Sequence, residues 1–122
     1  MKAVFDTNIL IDYLCGIEKA KIELEKYQIK VISIISWIEL LVGIEENSDE
    51  EQAIKSFLNQ FKILYLDKEI SEISVSIKRK TKMKLPDAII LATSIKENVQ
   101  LITRNTKDFS VKDANIKVPY VL

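Results

Sequence analysis

Three acidic residues stand where a carboxylate could do chemistry. Asp6 follows a short apolar run, Glu39 closes the pattern Ser36-x-x-Glu39 just ahead of Leu40, and Asp87 follows Pro86 at the head of an apolar segment. Carboxylates gathered in one crevice repel one another and raise each other's pKa values, so an ionised cluster of this kind calls for a cation. Oxygen donors are hard ligands and favour Mg²⁺ or Mn²⁺. A metal held this way neutralises charge on a phosphodiester and supplies a nucleophilic water near neutral pH, which are the two needs of phosphodiester hydrolysis.

The chain contains no His. That removes the usual general base, the imidazole of a Ser or Cys triad, and the commonest zinc ligand. Any hydrolytic chemistry here falls to carboxylates, lysines or bound metal.

Each acid also has a purely local reading. Asp6 is of a type that caps a following helix, and Asp87 at a helix start interacts well with the macrodipole, worth roughly 0.3–1 kcal/mol. Ser36-x-x-Glu39 has the form of a capping box, in which Glu39 reaches back to the backbone N–H of Ser36.

The elements that must position these residues follow from periodicity. Lys2 to Phe5 read as a buried strand, Asp6-Thr7-Asn8 as a helix start, and Ile9 to Leu14 as its apolar body. Ile17, Ala20, Leu24 and Tyr27 keep helical spacing, and the β-branched run Lys30 to Ile34 predicts a second strand. A helix from Ser36 carries Trp37, Leu40, Leu41 and Ile44 on one face, with Glu39 in its first turn. Ala53, Ile54, Phe57, Leu58 and Phe61 mark another helix, Lys62 to Leu66 a third strand, and Ile70, Ile73 and Ile77 a helix running into a basic cluster. Pro86 suits a first helical turn, so a helix is expected from there to about Asn98, then a strand over Val99 to Thr103. After a polar loop from Arg104 to Asp108, Ile116 to Val121 predicts a fifth strand, which Pro119 restricts to a sheet edge.

Strands alternating with helices imply an α/β sandwich with a mainly parallel sheet of four to five strands, whose ligands sit beyond the carboxyl ends of the strands. Asp6 and the segment from Thr103 to Asp108 fall at such ends.

Taken together, Val4-Phe5-Asp6-Thr7-Asn8, Glu39 in its Ser-x-x-Glu-Leu setting, Leu85-Pro86-Asp87-Ala88, and Leu101-Ile102-Thr103-Arg104-Asn105 followed by Asp108-Phe109 resemble the PIN domain, and more narrowly the VapC-type toxins. The match runs from residue 2 to about residue 121. The resemblance implies a three-layer α/β/α sandwich and an endoribonuclease using Mg²⁺ or Mn²⁺. It also implies a homodimer, and a toxin held inactive by a cognate antitoxin protein encoded beside it. Asp6 and Asp87 match the family's main metal ligands and Glu39 its third acidic position, while Thr103 matches a hydroxyl that orients water or substrate. The fourth acidic position falls on Asn105, a neutral and weaker ligand, with Asp108 shortly after. The number of metals, the RNA cleaved and the antitoxin's identity stay open.

Composition sets the remaining bounds. Lys and Arg total 18 and Asp and Glu total 18, so net charge lends no support to nucleic-acid binding. The distribution is lopsided. Lys78, Arg79, Lys80, Lys82 and Lys84 crowd one segment and form a candidate RNA-binding run, whereas Glu45, Glu46, Asp49, Glu50 and Glu51 crowd another. Each run reads equally as a solvated helix end. Residues 1–122 are expected to form one domain, with Cys15 a small buried hydrophobe. No disulfide, membrane span or signal-like stretch is expected, which points to the cytoplasm.

Other readings compete. A haloacid-dehalogenase-like phosphatase would need an acid where Asn8 stands, and a receiver domain would need paired acids near Val4 and Phe5. A non-catalytic PIN-like module gripping RNA or protein is the alternative from another class, and a PIN nuclease of RNA processing or decay is a third.

Overall fold

The computed structural model describes residues 1–109 and 115–122. Among the described residues, five strands and six helices alternate. They are β1 (Lys2–Phe5), α1 (Thr7–Leu14), α2 (Glu18–Glu25), β2 (Ile29–Ser33), α3 (Ile34–Val42), α4 (Asp49–Leu58), β3 (Lys62–Leu64), α5 (Lys68–Lys80), α6 (Leu85–Glu97), β4 (Leu101–Ile102) and β5 (Ile116–Lys117).

All four pairings are parallel, in the order β3-β2-β1-β4-β5. The order reverses direction between β1 and β4. In open parallel sheets, ligands bind in the crevice at that reversal, outside the strands' carboxyl ends.

Alternation along the strands builds two cores. Ala3, Phe5, Ile32 and Ile102 point to one face, where they pack with Ile9 and Leu10 of α1, Leu24 of α2, Leu40 of α3 and Ile54, Phe57 and Leu58 of α4. Val4, Val31 and Leu101 point to the other face, against Ala88, Ile90 and Leu91 of α6. Ile70 of α5 meets Ile89 and Ala92 of α6, adding an outer helix to that layer. The result is the expected α/β/α sandwich. Ala88, Ile90 and Ala92 are fully buried and seat α6 deep in the molecule.

Element boundaries differ from the sequence reading in several places. Ser33, not Ser36, caps α3: its hydroxyl accepts from Ile35 N at 3.0 Å. The helix therefore starts at Ile34, leaving Glu39 sixth in it rather than in its first turn. The capping box is absent for a physical reason, since the Ser36 side chain is buried and turned onto the Thr7 hydroxyl. The α4 helix ends at Leu58, and Phe61 is buried from the turn that follows. The strand β3 stops at Leu64, with Tyr65 and Leu66 exposed. The strand β5 covers only Ile116–Lys117 at the sheet edge, and Pro119, which has no N–H to donate, lies beyond it.

Cys15, expected to be buried, is exposed at the end of α1. Among the described residues no helix is long and apolar enough to cross a membrane.

Candidate active site

The strand β1 ends at Phe5, paired with Ile102 of β4. One residue further along each strand, Asp6 and Thr103 meet in the crevice where the sheet order reverses. Thr103 Oγ1 donates to Asp6 Oδ2 at 2.7 Å, and Asp6 Oδ1 accepts from Thr7 N at 2.8 Å, capping α1. Asp6 thus fills its capping role and is also bonded to the end of the neighbouring strand.

Asp6 is only 4% exposed. Burial pushes its carboxyl up from 3.8 to about 6, and the negative charges of Asp87 and Glu39 push the same way, against the hydrogen bonds from Thr103 and Thr7. Asp87, third in α6 behind Pro86, is also raised, first by burial, then by Asp108 and Glu39; the nearby Lys84 ammonium opposes this. Asp108 is thus near enough to Asp87 for its charge to act on it.

Glu39 is held from across the molecule. Thr7 Oγ1 donates to Glu39 Oε1 at 2.7 Å and lies 2.9 Å from Ser36 Oγ. A hydroxyl has one proton, so Thr7 gives it to the carboxylate and accepts from Ser36. Glu39 Oε2 has no hydrogen-bond partner among the described residues.

Asn105 and Asp108 hold each other. Asn105 Nδ2 donates to Asp108 Oδ2 at 2.9 Å while Asp108 N donates to Asn105 Oδ1 at 3.1 Å. Asn105 N also donates to Thr103 Oγ1 at 3.0 Å. Asn105 therefore aims Asp108, and Asp108 is the residue of this pair whose charge acts on Asp87.

Asn8, Thr7 and Ser36 were missed as site residues. Asn8 Nδ2 donates to Asp6 Oδ2 at 3.2 Å and lies 3.4 Å from Thr103 Oγ1. Its position two residues after Asp6, within the Val4-Phe5-Asp6-Thr7-Asn8 stretch, is the signal the sequence offers for it.

The donor set is all oxygen, and it combines a raised Asp6 with a raised Asp87, the condition a divalent cation relieves. Among the described residues, no three carboxylates converge into a ready metal cage. Mg²⁺ does not need one, since it is usually held by one or two carboxylates together with retained waters and substrate phosphate. The residues fit such an ion.

The basic run is exposed throughout and reaches the site at one end. Lys78, Arg79 and Lys80 close α5, Lys82 follows, and Lys84 stands at the N-cap of α6 beside Asp87. Lys78 Nζ donates to Met83 O at 2.8 Å, which gives it a local task. Lys82 and Lys107 line a cavity of about 360 Å³ that also includes Asp108.

A family model described as "PIN domain" matches residues 3–115. The chain is similar to "Ribonuclease VapC1" of Methanocaldococcus jannaschii, 36% identical over 124 residues, covering 96% of this chain and 86% of that protein. It also resembles a chain in a structure described as a toxin-antitoxin complex from Klebsiella pneumoniae, 43% identical with a TM-score of 0.90, covering 98% and 99% of the two chains. The fold recurs in VapBC2 from Rickettsia felis, bound there to a DNA fragment from its promoter, at 21% identity and a TM-score of 0.81 over 96% and 98% of the two chains.

Proposed function

This chain belongs to the PIN domain family, and from that premise we propose that it is a divalent-metal-dependent endoribonuclease, the toxin of a toxin-antitoxin pair. The observation that carries the reading is the Asp6 carboxylate, held by Thr103 at the point where the sheet order reverses and raised by burial, with the charges of Asp87 and Glu39 adding to that shift. The names of its relatives support it, a ribonuclease in one case and a toxin-antitoxin complex in another.

In this reading Asp6 and Asp87 would hold Mg²⁺ or Mn²⁺, with Glu39 and Asp108 as the further acids of the site. When bound, the cation supplies charge neutralisation at the scissile phosphate and acidifies water. The chain's own residues do the rest. Thr103 and Asn8 fix the Asp6 carboxylate by hydrogen bonds on Oδ2. Thr7 fixes Glu39 through Oε1, leaving Oε2 to take the proton of the attacking water. The water oxygen joins phosphorus as the ester oxygen leaves with a solvent proton. Lys84 and Lys82 hold the RNA backbone near the crevice, with Lys80 and Arg79 extending the track. Action in the cytoplasm, a homodimer and a cognate antitoxin belong to the same proposal.

The test is cleavage of an end-labelled single-stranded RNA by the purified chain with Mg²⁺, Mn²⁺ or excess chelator, beside Asp6→Asn. Metal-dependent cleavage that Asp6→Asn abolishes is the expected result. Binding without cleavage at any metal concentration would favour the non-catalytic module, which the neutral Asn105 keeps in view. A neighbouring reading frame encoding a short binding partner separates a toxin from an enzyme of RNA processing.

A further inference from the structure

Arg104 lies between two residues of the site, Thr103 and Asn105. An arginine in such a loop would ordinarily be assigned to phosphate, but here its guanidinium is engaged elsewhere. Nε donates to Asp12 Oδ2 at 2.6 Å and Nη2 to Asp12 Oδ1 at 2.9 Å. Asp12 is on α1, 5% exposed, and its Oδ2 also accepts from the Tyr120 hydroxyl at 2.8 Å. The main chain of Arg104 is tied to the same helix, since its N–H donates to Asn8 Oδ1 at 3.2 Å.

A two-pronged guanidinium–carboxylate pair fixes both distance and plane, which a single-point contact does not. The Arg104 side chain keeps about a third of its surface exposed, at 32%, so the pair contributes modestly to stability. Its placement matters more. The next backbone N–H, that of Asn105, donates to Thr103 Oγ1, and that hydroxyl donates to Asp6. Asn105 in turn holds Asp108.

We propose that Asp12 is a positioning residue for the site: by gripping Arg104 it fixes the turn that aims the Thr103 hydroxyl at Asp6. The rate effects below rest on the nuclease reading. The geometry of the turn does not.

The experiment uses Asp12→Asn, Arg104→Lys and Tyr120→Phe, each in the parent and in a Thr103→Val background, with single-turnover cleavage of an end-labelled single-stranded RNA. Asp12→Asn and Arg104→Lys should each lower the maximal rate about 10- to 100-fold, the scale of a misplaced reacting group, with little change in the RNA concentration giving half-maximal rate. Tyr120→Phe, which leaves the fork intact, should stay near the parent. In the Thr103→Val background Asp12→Asn should cost less than about threefold more, because both changes act through one hydrogen bond. Fully multiplying losses would mean Asp12 acts on the fold at large and overturn the proposal. Amide hydrogen exchange gives a readout independent of activity. In Asp12→Asn, exchange at Arg104 and Asn105 should quicken about tenfold or more while Thr103 N–H, bonded to Lys117 O, keeps its protection. Unchanged exchange at both sites would also overturn it. If the parent cleaves no RNA, the nuclease reading falls and exchange alone decides the role of Asp12.

Discussion

Thr103 Oγ1 donates to Asp6 Oδ2 at 2.7 Å across 97 positions of sequence. The bond follows from the register of β1 and β4, which pairs Phe5 with Ile102 and so delivers the next residue of each strand to the same place. It also opposes the burial that raises Asp6.

Thr103→Val keeps the shape and removes the donor. The Asp6 carboxyl should rise above its parental value of about 6, and cleavage should fall about 10- to 100-fold, the usual cost of losing a group that orients a ligand. A Mn²⁺ titration of single-turnover cleavage should show a higher metal requirement. A parental rate and requirement would reduce Thr103 to a strand-end residue.

Asp6→Asn should abolish cleavage and stabilise the metal-free chain at neutral pH. The folded pKa of about 6 lies above the ordinary 3.8, so the native state binds this proton more tightly than the unfolded chain does. The resulting penalty, on the order of 3 kcal/mol at pH 7, is relieved as pH falls through about 6 and is gone below 3.8. Chelator-treated melting at several pH values should show the variant ahead of the parent at pH 7.5, with the gap closing toward pH 4. A constant gap would contradict the assignment.

Glu39 accepts from Thr7 and does not cap its helix, so neither Glu39→Gln nor Glu39→Ala removes a cap. Both should melt near the parent without metal. Cleavage should drop on the order of 100-fold or more in each, the scale of a lost acid–base group. Ser33→Ala should do the reverse, losing about 1 kcal/mol of stability as a cap while the acids stay in place. Parental cleavage by Glu39→Gln would remove Glu39 from the chemistry.

Neutralising Lys80, Lys82 and Lys84 together should weaken RNA binding and flatten its dependence on salt, by about 0.7 in log–log slope for each phosphate that is no longer neutralised. Lys78 is left in place because it supports Met83 O. Binding measured from low to moderate salt checks this, and an unchanged slope would make the run a solvated helix end.

Much of this molecule was legible in one dimension. The alternation of short β-branched runs with helical stripes specified a parallel α/β sandwich, because a strand buried on both faces and an amphipathic helix each carry their own periodicity. Asp6 at the end of β1 and Asp87 behind Pro86 could be placed from local pattern alone. The absence of His narrowed any hydrolytic chemistry to carboxylates, lysines or bound metal before any fold was considered.

The tertiary structure decided what each acid touches. Ser36-x-x-Glu39 is a sound local pattern, yet Ser36 and Glu39 both turn to Thr7, about thirty residues away in sequence, and Ser33 takes over the cap. The grip of Asp12 on Arg104 spans 92 positions and had no local signal at all. Capping and periodicity are energies of neighbouring residues, and a sequence displays them directly. The register of β1 against β4, and the burial that lifts Asp6, arise only when distant segments share one core, so only the folded chain could reveal them.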